Sequence, residues 1–345
     1  NTASYENMTA GQDVTASLIS NTGTVSGGIA SDTYASIQNL TGGAGNDYLE
    51  GNTGANRLIG GAGNDTLVSG GGADTLDGGA GVDTASFAGL AAVNVVLDAN
   101  GNGRGITANE NVTLLSIESL IGTGHDDTFQ VAAMPSESNG VKSGIIHGGA
   151  GNDTLIYNVT GNLNVDLVSG TVNGINNILD SIENITTGSG NDTIVATNDA
   201  NKIDGGAGNN TVDFNYATTG VSVNIIDPTV ETLISGGSGA DILRNIQNIS
   251  GSASGNDTIT VGNFNSTIDA RNGNNTITAG TTASTSTYNI TAGTGDDVIV
   301  VNGTGTNVIN AGDGNNRVNA GNGNNTITTG NGNDTIVSGT GLSNI

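Results

Sequence analysis

The sequence predicts an all-β chain, a right-handed parallel β-roll or β-helix solenoid, and three observations predict it. Glycine supplies 58 of the 345 residues, aromatic residues only 3%, and tryptophan is absent, which excludes a core of large side chains. A nine-residue unit recurs in frame from Gly42 to Ser86, a periodicity that separates the chain from disordered sequences of similar composition. Short stretches of alternating apolar residues, period two, stand between further copies of the unit and read as strands.

Five units hold frame: GGAGNDYLE from Gly42, GNTGANRLI from Gly51, GGAGNDTLV from Gly60, SGGGADTLD from Ser69 and GGAGVDTAS from Gly78. Their sixth positions are Asp47, Asn56, Asp65, Asp74 and Asp83. Single units follow around Asp153, Asp192, Asn210 and Asp257. A second run closes the chain, with AGDGNNRVN from Ala311, AGNGNNTIT from Ala320 and TGNGNDTIV from Thr329, after irregular copies around Asn275, Asp297 and Asn307. A longer repeat is interleaved. DTASF at Asp83 leads to VNVVLD from Val93 and then to LLSIESLIGTGHDDTF from Leu114. Its counterparts are DTLIY at Asp153, LNVDL from Leu163 and ILDSIENITTGSGNDTI from Ile178, then NTVDF at Asn210, VSVNI from Val221 and ILRNIQNISGSASGNDTI from Ile242. NTASY at Asn1 enters the same frame, so the chain is expected to be part of something longer. The expected organisation is a partial spacer repeat at 1–41, a regular nonapeptide roll at 42–86, spacer repeats interleaved with turns at 87–260, and an Asn-rich roll at 261–345.

Each unit has one large apolar residue at its eighth position, as at Leu67, Leu76, Leu155, Ile194, Ile259, Ile327 and Ile336. One inward side chain per unit cannot make a core alone, so coils must stack and share one, two units to a coil of about 18 residues. About 19 such coils would form one solenoid on the order of 90 Å long. Asp47, Asp65 and Asp83 then share one edge, and Asn56 and Asp74 the other. Carboxylates stacked roughly 4.8 Å apart repel unless a cation lies between them. Calcium suits that gap, because it takes six to eight oxygens in a forgiving geometry and accepts carbonyls, where magnesium demands a strict octahedron. Glycine allows a turn to aim several carbonyls at one ion.

The units resemble the Gly-Gly-x-Gly-x-Asp-x-apolar-x pattern of the RTX, or hemolysin-type calcium-binding, repeat family. The resemblance implies a parallel β-roll with calcium between neighbouring turns, and export by a type I system from a C-terminal signal. It carries a metal role to Asp47, Asp65, Asp74, Asp83 and Asp153, with carbonyls from Gly43, Gly45, Gly61, Gly63, Gly79 and Gly81. It extends that role to Asp127, Asp192, Asp257, Asp297 and Asp334, where flanking glycines are fewer or an insertion intervenes. Asn56, Asn210, Asn275, Asn307, Asn316 and Asn325 depart from the pattern by removing the charge, and a stacked amide ladder would hold those turns without metal. The ending GTGLSNI carries no recognisable secretion signal, which is expected beyond Ile345 or elsewhere in a longer protein.

A net charge of −25 argues against nucleic acid and anionic membrane as partners and in favour of cations. The chain has no cysteine, in keeping with a secreted bacterial protein held together by something other than disulfides, and no apolar run of membrane-spanning length. The expected function is a calcium-binding structural region of a secreted or cell-surface protein, an S-layer or adhesin, that folds on extracellular calcium and is not an enzyme. Identical subunits in a lattice or filament, or surface polysaccharide, are the partners this implies. A polysaccharide-modifying enzyme is the first alternative, but no zinc motif, nucleophile elbow or His/Tyr/Asp cluster supports it. An ice- or glycan-binding solenoid is the second, resting on Thr-x-Thr triplets at Thr258, Thr276 and Thr326. Glu118, Glu183 and Asp180 read as solvent-facing strand residues, His125 and His147 as surface or turn residues, and Phe87, Tyr157 and Phe214 as core fillers.

Overall fold

The computed structural model describes residues 1–25, 29–132, 144–174, 178–237 and 239–345. Among them the chain is all-β, with strands of two to six residues and no helix long and apolar enough to cross a membrane. They fall into two compact units, residues 1–159 with 175–184 and residues 160–174 with 185–345.

In the first unit the chain alternates between two sheets at each nonapeptide. Tyr48–Glu50 and Thr66–Val68 are parallel neighbours in one sheet, and Arg57–Ala62 and Thr75–Ala80 in the other. Leu49 lies opposite Leu67 and Leu58 opposite Leu76, so two nonapeptides make one coil, as the spacing requires. The eighth-position side chains, continued by Leu40, Leu114 and Leu120 from the flanking spacers, form a buried column in each sheet: Leu40, Leu58, Leu76 and Leu114 in one, Leu49, Leu67, Ala85 and Leu120 in the other. A strand this short gains little from its own hydrogen bonds. Burial of each leucine stabilises by about 1.5–3 kcal/mol, and only the stack provides it.

The spacers enlarge the coil without interrupting the ladder. Asn94–Leu97 pairs in parallel with Thr128–Val131, which pairs with Thr154–Tyr157. Between these levels the chain turns at Asp98–Gly101, where Gly101 has a φ of 72°, and returns antiparallel as Gly103–Ile106 and then Asn111–Leu115. Asn111–Leu115 docks in parallel on Thr75–Ala80. Similar antiparallel returns follow Val14–Ser17, Asn164–Asp166 and Val221–Ile225. The alternating stretches at Val93, Leu163 and Val221 are therefore strands as expected, while the sheets are dominated by parallel pairing and not wholly parallel.

The second unit repeats the plan with apolar columns of Val212, Ile249, Ile268, Ile290, Ile309 and Ile327, and of Val223, Ile259, Ile277, Ile299 and Val318. Its coils rise by 18, 22 and 19 residues over Asp257, Asn275, Asp297 and Asn316, so the turns absorb insertions while the strands keep register. Phe87 and Phe214 are buried just after their strands and Tyr157 at the end of its own, as core fillers should be. The threonine triplets do not build one face. Thr258 and Thr276 stack, but the column continues with Val298 and Arg317, and Thr326 belongs to the other sheet, beside Val308.

Candidate metal centre

The sixth-position side chains are buried inside the turns: Asp65 is 1% exposed and Asp83 and Asp153 are 0% exposed. Each Oδ1 accepts the backbone N–H of the corresponding residue one coil earlier. Asp47 N donates to Asp65 Oδ1 (2.7 Å), Asp65 N to Asp83 Oδ1 (2.8 Å) and Asn56 N to Asp74 Oδ1 (2.9 Å). The two predicted edge columns thus exist, but half of each carboxylate is already engaged by an N–H that the sharp turn leaves without a strand partner. The same oxygen receives Val14 N at Asp47, Val93 N at Asp127, Leu163 N at Asp192 and Val221 N at Asp257, where a spacer strand precedes the turn. Asp127 N donates to Asp153, Asn275 N to Asp297 and Asn316 N to Asp334, which is half-buried.

A second ladder runs the other way on the exposed fifth position. Asn64 N donates to Asn46 Oδ1 (2.7 Å), Val82 N to Asn64 Oδ1 (2.9 Å) and Asn274 N to Asn256 Oδ1 (2.7 Å). Neighbouring side chains therefore clamp each turn to the coil before and the coil after. The recurring Asn in GNDT and GNNT was the signal for this ladder, and it is legible once the unit is aligned.

Glu118 and Glu183 correct the expectation that they face solvent. Both are half-buried, and their Oε2 atoms accept Asp83 N (2.9 Å) and Asp153 N (2.7 Å), ending the column in place of another sixth-position residue. Gln247 Oε1 does the same for Asn210 N (2.7 Å). The preceding corner is also shared, since Ser116, Ser181 and Asn245 take left-handed φ values of 51°, 53° and 55° two residues before the acceptor. Asp180 is exposed as expected and pairs with His147 Nδ1 (2.6 Å), and His125 is exposed.

The second carboxylate oxygen divides the turns. In some it is capped from within: Ser69 Oγ donates to Asp74 Oδ2, Thr123 N to Asp127 Oδ2, Ser252 N to Asp257 Oδ2 (3.1 Å) and Gly43 N to Asp47 Oδ2 (2.6 Å). In others Oδ2 is buried without a hydrogen-bond partner, at Asp65, Asp83, Asp153, Asp192 and Asp297. At Asp65, Asp83 and Asp153 this oxygen borders a narrow space beside the first glycine of the unit. A Cβ on Gly60 would collide with Asp65 Oδ2 and reach the Gly78 carbonyl, and one on Gly148 would collide with Asp153 Oδ2 and the Ser181 carbonyl. The second-position glycines stack as backbone: Gly61 (φ 119°) lies against the Gly43 carbonyl and Gly79 (φ 103°) against the Gly61 carbonyl. Gly45, Gly63 and Gly81 form a parallel column. Carboxylate and carbonyl oxygens with no donor between them are a donor set for a hard cation.

The electrostatics agree. Loss of solvent pushes the carboxyls of Asp65, Asp153 and Asp297 up to about 6 and that of Asp83 to about 7, with neighbouring carboxylates adding to the shift. Asp74 is likewise raised by burial to about 6 although Ser69 holds it down, and Asp47 and Asp257 are raised as well. No three acidic or histidine side chains converge among the described residues, so a cation here would be held by one or two carboxylates and by carbonyls of adjacent coils.

Each unit is thus a β-solenoid of mainly parallel strands whose turns present buried acidic oxygens between coils. A family model described as the RTX calcium-binding nonapeptide repeat (4 copies) matches residues 37–67, 50–85, 145–158, 180–215, 252–283 and 301–336. Through these stretches the chain belongs to the RTX, hemolysin-type repeat family, and it is a calcium-binding structural repeat region. No curated protein matches it.

Proposed function

We propose that the chain is a calcium-dependent, non-catalytic scaffold segment of a secreted or cell-surface bacterial protein, of the S-layer or adhesin kind. The observation that supports this is the set of buried, unpartnered oxygens on Asp65, Asp83, Asp153, Asp192 and Asp297. Without a cation they oppose closure of the coils. In a calcium-poor cytosol the chain stays open for export by a type I route, and roughly millimolar external calcium closes it. The ligands would be the sixth-position Oδ2 with carbonyls from the glycines of the same and neighbouring turns. The net charge of −25 keeps the calcium-free chain expanded and repels anionic partners.

A calcium titration followed by far-ultraviolet circular dichroism tests this. A cooperative gain of β signal near millimolar calcium is expected, and an identical spectrum in chelator and in calcium overturns the proposal. Electron microscopy of the calcium-loaded protein then separates a lattice or filament former from a monomeric spacer.

A further inference from the structure

The sixth-position asparagines do more than remove charge. Their Oδ1 atoms can keep the ladder role of aspartate, as when Asp192 N donates to Asn210 Oδ1 (3.0 Å) and Asp297 N to Asn316 Oδ1 (3.0 Å). The other side-chain atom, an acceptor in aspartate, becomes a donor, and it finds carbonyls. Asn275 Nδ2 donates to Gly273 O (3.1 Å), Asn307 Nδ2 to Gly305 O (3.1 Å), Asn316 Nδ2 to Gly314 O (3.5 Å) and Asn325 Nδ2 to Gly323 O (2.9 Å). All four carbonyls belong to the fourth position of the unit, which Gly63 and Gly81 occupy in the aspartate turns. Asn316 also reaches the second-position carbonyl of Gly312 (3.0 Å).

The three corner turns make a matched comparison. At Asn210, Nδ2 donates to the Asn245 carbonyl (3.0 Å). At the equivalent corners the Ser116 carbonyl borders Gly78 together with Asp83 Oδ2, and the Ser181 carbonyl borders Gly148 together with Asp153 Oδ2, oxygen beside oxygen with no donor. At Asp257 the protein brings its own cation: Arg271 donates through Nη1 to the Gly251 carbonyl and forms an ion pair with Asp213 (2.8 Å).

We propose that the turns of Asn210, Asn275, Asn307, Asn316 and Asn325 are closed without metal by their own amides, and that calcium sites are confined to the turns of Asp65, Asp83, Asp153, Asp192 and Asp297. This rests on calcium binding by the aspartate turns and adds which turns need it. Turns around 305–329 then persist when calcium is removed, while those at 60–86 and 148–154 open.

Hydrogen exchange of the full chain, read by mass spectrometry in calcium and in chelator, tests it. Chelator is expected to accelerate exchange about tenfold or more at 60–86 and 148–154 and to leave 305–329 within about twofold of its calcium value. Asp83→Asn with Asp153→Asn should make those two corners insensitive to chelator, and Asn210→Asp should make its corner sensitive. Equal acceleration in both tracts, or continued chelator sensitivity at the two substituted corners, overturns the assignment while leaving calcium binding intact. No effect of chelator at any turn overturns calcium binding itself.

Discussion

In residues 60–86 the sixth-position side chains are Asp65, Asp74 and Asp83, whereas in residues 301–329 they are Asn307, Asn316 and Asn325. The two tracts share the two-unit coil, the inward eighth position and the fifth-position ladder. They differ in one atom per turn: Asp65 and Asp83 have a buried Oδ2 without a donor, and Asn316 and Asn325 have a buried Nδ2 with carbonyls to give to. An unsatisfied buried acceptor costs free energy until a cation or proton meets it, while a paired amide is nearly neutral. The fold can therefore be built from either residue, and the choice sets what the turn requires from solution.

Since the cores are alike, Leu67→Ala in the first tract and Ile309→Ala in the second should each cost about 2–5 kcal/mol in calcium, measured by urea denaturation. A much smaller loss at either site would mean that the shared column is not what holds that tract. Next in size is the pH dependence of the calcium-free protein. Asp65 and Asp83 have folded-state values of about 6 and about 7, above the ordinary carboxylate value near 3.9, so between these limits the folded state holds more protons than the unfolded one. Their contribution is full below about pH 4 and is lost as the pH rises through about 6 to 7. Exchange at 60–86 in chelator should speed up over that window beyond the intrinsic chemistry, and exchange at 305–329 should not. A flat profile at 60–86 would remove the proton as calcium's substitute.

Smaller effects probe the ladders. Glu118→Ala leaves Asp83 N without its acceptor and should cost about 1–3 kcal/mol, while Glu118→Gln should be close to neutral because Gln247 does the same task at Asn210. Equal loss from both substitutions would point to charge and not to the hydrogen bond. Least of all, Asn64→Ala and Asn324→Ala should cost similar amounts, about 0.5–1.5 kcal/mol, because the fifth-position ladder is common to both tracts. A difference between them would show that the ladder is coupled to the state of the sixth position.

Much of this was open to inspection in the sequence. GGAGNDTLV fixes the turn, the strand length and the inward leucine, since only one register buries Leu67 beneath Leu49. The outgoing spacer strands at Val93, Leu163 and Val221 announce themselves by alternation. Their antiparallel returns do not, because GRGI and SG lack a continuous apolar pattern and are held by their neighbours. Glu118 and Glu183 were misleading for a similar reason: nothing in SIES or SIEN says that a glutamate will reach back to a turn 35 or 30 residues earlier.

The sequence by itself determined the period, the two-unit coil, the apolar columns and the cationic preference, because these follow from residue spacing and net charge. Only the tertiary structure decided which oxygens are left over. Whether Asp74 Oδ2 is capped by Ser69, or Asp83 Oδ2 is left beside the Ser116 carbonyl, depends on which groups of other turns arrive within hydrogen-bond reach, and that is a property of the stacked coils.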